Sequence, residues 1–263
     1  MLRYPRLCYA VRGIQMRVRP PARTMPPVRH DVASYEHLFA SSVERFEVLV
    51  RPWRPEFVWS AGRTNNGTFE SVDIELYHSV LRTHRPKLVI EVGGGHSSHF
   101  STQALRSNGS GEVVVVDPRP RVRLPRGVTH VRSRVEDVDL ALFDRLGSGD
   151  VLFVDSSHTT EEARYHAERI LPRLAGGVLV QHHDVLFPYD SYYLDDPAVY
   201  GEQDVLLEYY SAQTGSFDVL IGAAYVRYRD RALLEDLVPS YRWQPSRVPG
   251  SLWVRKRQPG TGV

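Results

Sequence analysis

Leu88-Val89-Ile90-Glu91-Val92-Gly93-Gly94-Gly95-His96-Ser97-Ser98 is the stretch that decides the fold. Four apolar residues and one acid run straight into three glycines, and a helical pattern follows. A strand that is apolar without alternation is buried on both faces, as in a parallel sheet covered by helices. Glycines at its end let a ligand approach backbone that a side chain would screen. In a doubly wound sheet this corner opens onto the crevice where ligands bind. Ser97 or Ser98 is placed to cap the helix that follows.

The same rhythm continues on both sides of the turn. Strands are expected at 88–92, 112–117, 129–132, 151–155, 177–183, 217–226 and 252–256. Helices are expected at 71–83, with Ser71 as cap, and then at 98–107, 138–146, 159–174, 202–213 and 231–238. Strands rich in Val, Ile and Leu that alternate with helices imply an α/β protein. Its sheet is doubly wound, mostly parallel, seven-stranded and Rossmann-like, with helices on both faces. Before it, residues 31–69 read as a helical and loop cap, with a helix over 33–50 and a turn at Asn65-Asn66-Gly67. Residues 1–30 form an Arg/Pro-rich extension without periodicity, expected to be flexible. The catalytic domain is expected to span 70–258.

Bulk properties narrow the classes. The 263 residues are 42% hydrophobic, enough for one sizeable core, and the formal net charge is +2. A charge so near balance gives no reason to expect nucleic acid or a membrane surface as partner. No apolar run approaches the roughly 18 residues of a spanning helix, and the N-terminus lacks the apolar stretch of a secretory signal. A cytoplasmic protein is expected. Cys8 is the only cysteine, which excludes an internal disulfide and a cysteine-rich zinc site.

Glycine turns after a strand serve several adenosine ligands, including dinucleotides. Glu91 stands two residues before the first glycine, where an acid disfavours a pyrophosphate and suits a cationic ligand. Ser98 occupies the third-glycine position of the dinucleotide fingerprint, which is therefore incomplete. Both details favour S-adenosyl-L-methionine over a nicotinamide dinucleotide. Asp117 ends the next strand, where a carboxylate accepts hydrogen bonds from ribose hydroxyls.

A second constellation lies further on. Val151–Asp155 continues into Ser156-Ser157-His158, and Gly177–Gln181 into His182-His183-Asp184. Parallel strands would bring Asp155, His158, His182, His183 and Asp184 to the same end of the sheet as the glycines. Such convergence of ionisable groups points to catalysis. Two readings stay open: proton removal by Asp155, His158 or His183, and a divalent metal held by Asp155, His183 and Asp184. A nicotinamide-dependent oxidoreductase, and a methyltransferase fold turned to non-methylating or other metal chemistry, are the rival functions. His96, His99, His130 and His166 read as surface or helix residues.

The series Glu-Val-Gly-Gly-Gly-His-Ser-Ser, Val-Val-Val-Val-Asp, Phe-Val-Asp-Ser-Ser-His and Gln-His-His-Asp-Val-Leu-Phe-Pro resembles class I methyltransferases of the Methyltransferase-24 type, over roughly residues 70–226. Many members are small-molecule O-methyltransferases, some of them from natural-product pathways. The resemblance implies a donor site lined by Gly93, Gly95 and Ser97. It implies Asp117 on the ribose, residues 134–137 with Glu136 near the adenine, and Asp155 at the donor's edge. It also implies a small-molecule acceptor, and Glu202-Gln203 resembles a pair that opens the helix after the His-Asp loop, which suggests that Gln203 faces the acceptor. The acceptor pocket would be built around the tyrosine-bearing loop 187–196. Metal-dependent catechol-type relatives carry Asp, then Asp-Asn or Asp-Asp, where this chain has Asp155, then His183-Asp184. That departure leaves magnesium, another metal and a metal-free histidine mechanism all open. A homodimer is open as well.

Overall fold

The computed structural model describes residues 25–190 and 201–258. Seven strands form one sheet: β1 (Leu88–Val92), β2 (Glu112–Val116), β3 (Thr129–Val131), β4 (Val151–Val154), β5 (Leu179–His182), β6 (Phe217–Gly222) and β7 (Leu252–Lys256). Their order is β3-β2-β1-β4-β5-β7-β6. The first five strands pair in parallel, while β7 runs antiparallel to both β5 and β6. This is the doubly wound, mostly parallel α/β sheet expected from the sequence. Its direction of winding reverses between β1 and β4, which is where such sheets open a crevice.

The helices are α1 (Val32–Tyr35), α2 (Ser42–Val50), α3 (Ala61–Thr64), α4 (Asp73–His84), α5 (His96–Asn108), α6 (Thr160–Tyr165), α7 (Glu202–Ala212), α8 (Ala223–Arg229) and α9 (Arg231–Leu237). One apolar layer joins α2, α4 and α5 to the face of the sheet carrying Val89, Val113, Val115 and Phe153. The other joins Ile90, Val92, Val114 and Leu152 to Phe143, Ile170 and α7. Both faces are therefore covered, which explains why the strands show no polar alternation.

Several boundaries differ from the sequence reading. Helix α4 starts at Asp73, and Ser71 is not its cap: Glu75 accepts the Val72 N–H at 2.8 Å, while the Ser71 hydroxyl pairs with Ser240. Helix α5 starts at His96, with Gly95 as the capping residue. The Ser98 hydroxyl reaches back to accept the Gly95 N–H at 3.1 Å. The segment expected as one strand over 217–226 turns into helix α8 at Ala223. Residues 223–227 are all buried, and a short apolar run buried on every side has no period to separate strand from helix. Residues 140–145 form a 3-10 helix capped by Asp139 rather than an α-helix. The helix expected over 159–174 passes from α6 through a π segment at 166–170 to a 3-10 turn at 171–173, where Pro172 has no N–H to donate.

Residues 25–31 run against the loop after β5. Arg29 N donates to Pro188 O and Asp190 N to Pro27 O, both at 2.9 Å, and Val28 bridges Tyr189. The Arg29 guanidinium holds Asp31 at 2.8 Å and Asp204 at 2.6 Å. Residues 1–24 of the extension and 191–196 of the tyrosine loop lie outside the described residues.

Candidate active site

The ends of the parallel strands keep their register one residue further. Gly93 N donates to Val116 O, Asp117 N to Val131 O, Asp155 N to Val92 O and His183 N to Val154 O. The glycine turn and the acid-histidine cluster therefore share one edge of the sheet, on either side of the winding reversal. They touch there. Gly93 has φ +85°, and a Cβ built on it would stand 1.9 Å from the Asp155 carbonyl oxygen. At Gly94 a Cβ would meet Val115 at 2.2 Å. Packing within the protein thus dictates these two glycines, besides any ligand.

Asp117 lies beside the turn, partly exposed, and its carboxylate accepts the Gly94 N–H at 3.0 Å and the Arg119 N–H at 2.6 Å. It fixes the turn and still borders the crevice. Ser97 is buried in the first turn of α5, and Glu136 pairs with Arg134 at 2.7 Å in the 3-10 turn after β3. Desolvation opposes the Glu136 charge, but the Arg134 partner wins and its carboxyl is held below the ordinary range.

Glu91 is placed differently from the sequence expectation. It is fully buried, and its oxygens receive the hydroxyls of Tyr77 at 3.0 Å, Ser101 at 2.7 Å, Ser98 at 2.5 Å and, more distantly, Ser97 at 3.4 Å. Burial raises its pKa against these donors. The carboxyl group stands behind the turn, tying β1 to α4 and α5. Its charge is therefore no argument for a cationic ligand.

Four of the five cluster residues come together. His158 Nε2 lies 3.1 Å from Asp155 Oδ1 and 3.5 Å from Asp184 Oδ2. Its Nδ1 lies 2.7 Å from Glu202 Oε2, on the first turn of α7. His183 is 2% exposed and stands 3.5 Å from Asp155, 3.4 Å from Asp184 and 3.6 Å from Asp73. Desolvation disfavours a charge on His183, yet Asp155 and Asp184 hold its pKa well above the ordinary value. Asp155 responds in kind: desolvation opposes it, but His183 and His158 keep it ionised well below the carboxylate range. His158 and Asp184 both adopt left-handed backbone, with φ +59° and +62°. Non-glycine residues keep that conformation only where their surroundings impose it, and such positions gather at functional sites.

His182 does not belong to the cluster. Successive residues of a strand face opposite sides. His182 accordingly turns into the other apolar layer, with Nε2 2.7 Å from the Tyr210 hydroxyl. Burial, reinforced by nearby His166, pushes its pKa down to about 3. Nor does Gln203 face an open pocket: its amide accepts the Leu186 N–H and donates to Tyr189 O, pinning the loop. His166 is a buried helix residue.

Asp155, His158 and Asp184 each offer an atom within 4.8 Å of the others, a spacing suited to one cation. This changes the expected metal set, in which His183 took the place of His158. The donor set fits: two carboxylates and one imidazole suit a hard or borderline divalent ion. A Glu202 carboxylate behind Nδ1 is the outer partner that metal-bound histidines usually have. Of the Glu202-Gln203 pair it is Glu202, not Gln203, that reaches the cluster, and Asp73 joins it without having been expected there. The acids of Ser71-Val72-Asp73-Ile74-Glu75-Leu76, set in an otherwise apolar turn, were the available signal for Asp73.

Residues 90–185 match a family model described as a methyltransferase domain. An uncharacterized protein of Archaeoglobus fulgidus is 32% identical over 90 residues, which cover 31% of this chain and 41% of that relative. The O-methyltransferase TomG of Streptomyces achromogenes, solved with SAM, superposes on 85% of this chain and 98% of its own at 16% identity and TM-score 0.45. An O-methyltransferase from Bacillus cereus, solved with SAH, gives 12% identity and TM-score 0.43 over 97% of this chain and 100% of that one. From the middle of β1 to the loop after β5, residues 90–185 of this chain thus resemble a methyltransferase domain.

Proposed function

We propose that this protein transfers the methyl group of S-adenosyl-L-methionine to a hydroxyl of a small-molecule acceptor. The observation that carries this reading is the contact between Gly93 of the donor-type turn and Asp155 of the acid-histidine cluster. An acceptor held over the cluster would stand against the sulfonium of a donor lying on the turn. In the transfer, the carbon–sulfur bond breaks and its electrons stay on sulfur as a neutral thioether. A lone pair of the acceptor oxygen forms the new carbon–oxygen bond, and the oxygen's proton leaves.

Asp155 is the group placed to receive that proton, because its carboxylate retains 21% exposure at the crevice; the low pKa that His183 and His158 impose makes it a weak base that hands the proton on to solvent. His183, charged and enclosed by three carboxylates, suits an electrostatic role rather than that of a base. Asp73 orients it from below while its own oxygens accept the Gly250 and Ser251 N–H groups. If a divalent metal is present, Asp155, Asp184 and His158 Nε2 would hold it, and it would lower the acceptor's pKa. With Nδ1–H donated to Glu202, the Nε2 lone pair would face two carboxylates, an arrangement that calls for a proton or a cation between them.

Calorimetry with S-adenosylhomocysteine tests the donor half, and absence of binding to folded protein sinks the proposal. For the acceptor half, Asp155→Asn is expected to cut single-turnover methylation at least about 100-fold while leaving donor affinity within a few fold. Equal loss of both would give Asp155 a merely structural role. Activity before and after chelation, with metal analysis of the purified protein, separates metal-assisted from metal-free proton removal.

A further inference from the structure

The end of the sheet opposite the crevice has a cavity of its own. Its volume is about 550 Å³, and it is lined by Arg45, His84, Asp218, Arg255, Lys256 and Arg257, with Gly149 and Gly177 beside them. Gly149 and Gly177 precede β4 and β5, and Lys256 ends the antiparallel β7, so the lining lies at the N-terminal ends of the parallel strands. With strands of four to five residues, about 13–17 Å of sheet separates this cavity from the methyl-transfer edge.

Its charge is one-sided. Four permanent cations face a single carboxylate, Asp218, which Arg45 and Arg255 share at 3.2 Å each. Lys256 and Arg257 form no ion pair with a carboxylate among the described residues. Arg257 Nε donates only to the Phe217 carbonyl at 3.3 Å, and Lys256 Nζ lies 4.4 Å over the Phe217 ring. Partial burial holds the Lys256 pKa below its ordinary value. At the rim, His84 is held below its ordinary pKa by desolvation and by the positive field of Arg255. Gathering like charges around a concavity costs stability, and a bound anion offsets that cost. The volume lies within the range of small-ligand pockets. Guanidinium forks match phosphate oxygens two at a time, and a lysine adds a point charge.

We infer that this cavity is a second ligand site, for a compact anion of the diphosphate class, distinct from the methyl-transfer crevice. Neither the donor nor a neutral acceptor would use it. A ligand there reaches β4, β5 and β7, the strands that carry the cluster and its supports. The inference does not depend on the chemistry proposed for the crevice.

Calorimetric titration of the full chain with inorganic pyrophosphate tests it, alongside the His84 ring signals followed by NMR. Saturable single-site binding is expected, weakening with added salt and accompanied by a rise in the His84 pKa. Lys256→Ala and Arg257→Ala are each expected to weaken binding about tenfold, the loss typical of one charge-assisted hydrogen bond. Ser148→Glu, which places an anion at the exposed mouth and leaves the cationic lining intact, is expected to do the same should either truncation fail to fold. An unmoved His84, or equal affinity in the wild type and in every folded variant, overturns the inference. Repeating the titration with ADP separates free from nucleotide-borne diphosphate: competition with pyrophosphate supports a site for both, and pyrophosphate binding alone supports the free anion.

Discussion

His158 Nδ1 and Glu202 Oε2 stand 2.7 Å apart, joining the loop after β4 to the first turn of α7 across 44 positions of sequence. The bond fixes which ring nitrogen carries the proton, and so what Nε2 presents to Asp155 and Asp184. Glu202→Gln retains the size of the side chain but offers His158 a neutral partner. Turnover is expected to fall about 10- to 100-fold while S-adenosylhomocysteine affinity stays constant. A plain packing defect would instead lower stability and donor affinity together.

Gly93→Ala has nowhere to put its methyl group, which would run into the Asp155 carbonyl from a left-handed backbone. The turn must move away from β4 to accept it. Donor binding is expected to drop by at least about two orders of magnitude, with a lower melting temperature, because both backbone strain and a clash act at one point. Gly62→Ala, where a Cβ meets nothing within 4 Å, is the control expected to leave both unchanged.

Glu75 is buried between Ser240 and the Val72 N–H, and burial raises its pKa to about 7. The unfolded chain releases that proton at the ordinary value of 4.5, so the native state binds more protons between 4.5 and 7. Stability should therefore decline as pH rises through this window, by at most about 3 kcal/mol from this residue. Glu75→Gln should flatten the decline, so urea melts at pH 5 and pH 8 are expected to differ less in the variant. An unchanged difference would remove Glu75 as the source.

Arg29 clamps the chain near its N-terminus onto the loop after β5 and onto α7. Arg29→Ala is expected to release that clamp with a small cost to global stability, roughly 1 kcal/mol, since Asp204 is largely exposed. Hydrogen exchange should speed up at Arg29 and Asp190, whose amides close the pairing, and not in β1 or β4. Uniform acceleration would show that the clamp holds up the whole domain.

Most of the sheet was legible because β1, β2, β4 and β5 are largely apolar runs without polar alternation that lead into glycine or polar residues. Their shared edge followed from parallel pairing alone. Less could be read where side chains answer to distant partners. Glu91 looked like a ligand group because nothing in its own strand reveals four hydroxyls from α4 and α5. His182 and His183 are adjacent in sequence, and the end of a strand that is apolar on both faces does not say which of them turns to the crevice. Asp73 and Glu202 sit on helices whose docking brings them to the cluster, and no local pattern encodes that docking. The boundary between β6 and α8 was hidden by uniform burial.

Strand β7 follows β6 in the chain yet lies between β5 and β6 in the sheet. During synthesis β6 consequently has no neighbour to pair with until residues 252–256 have been made. The same late segment brings Gly250 and Ser251, whose amides occupy Asp73 beneath His183. Order of assembly is thereby written into the topology: a chain that stops short of residue 250 holds the glycine turn and Asp155 but lacks the back wall of the acid-histidine cluster. The glycine turn and Asp155 are thus made well before the segment that closes the cluster from behind.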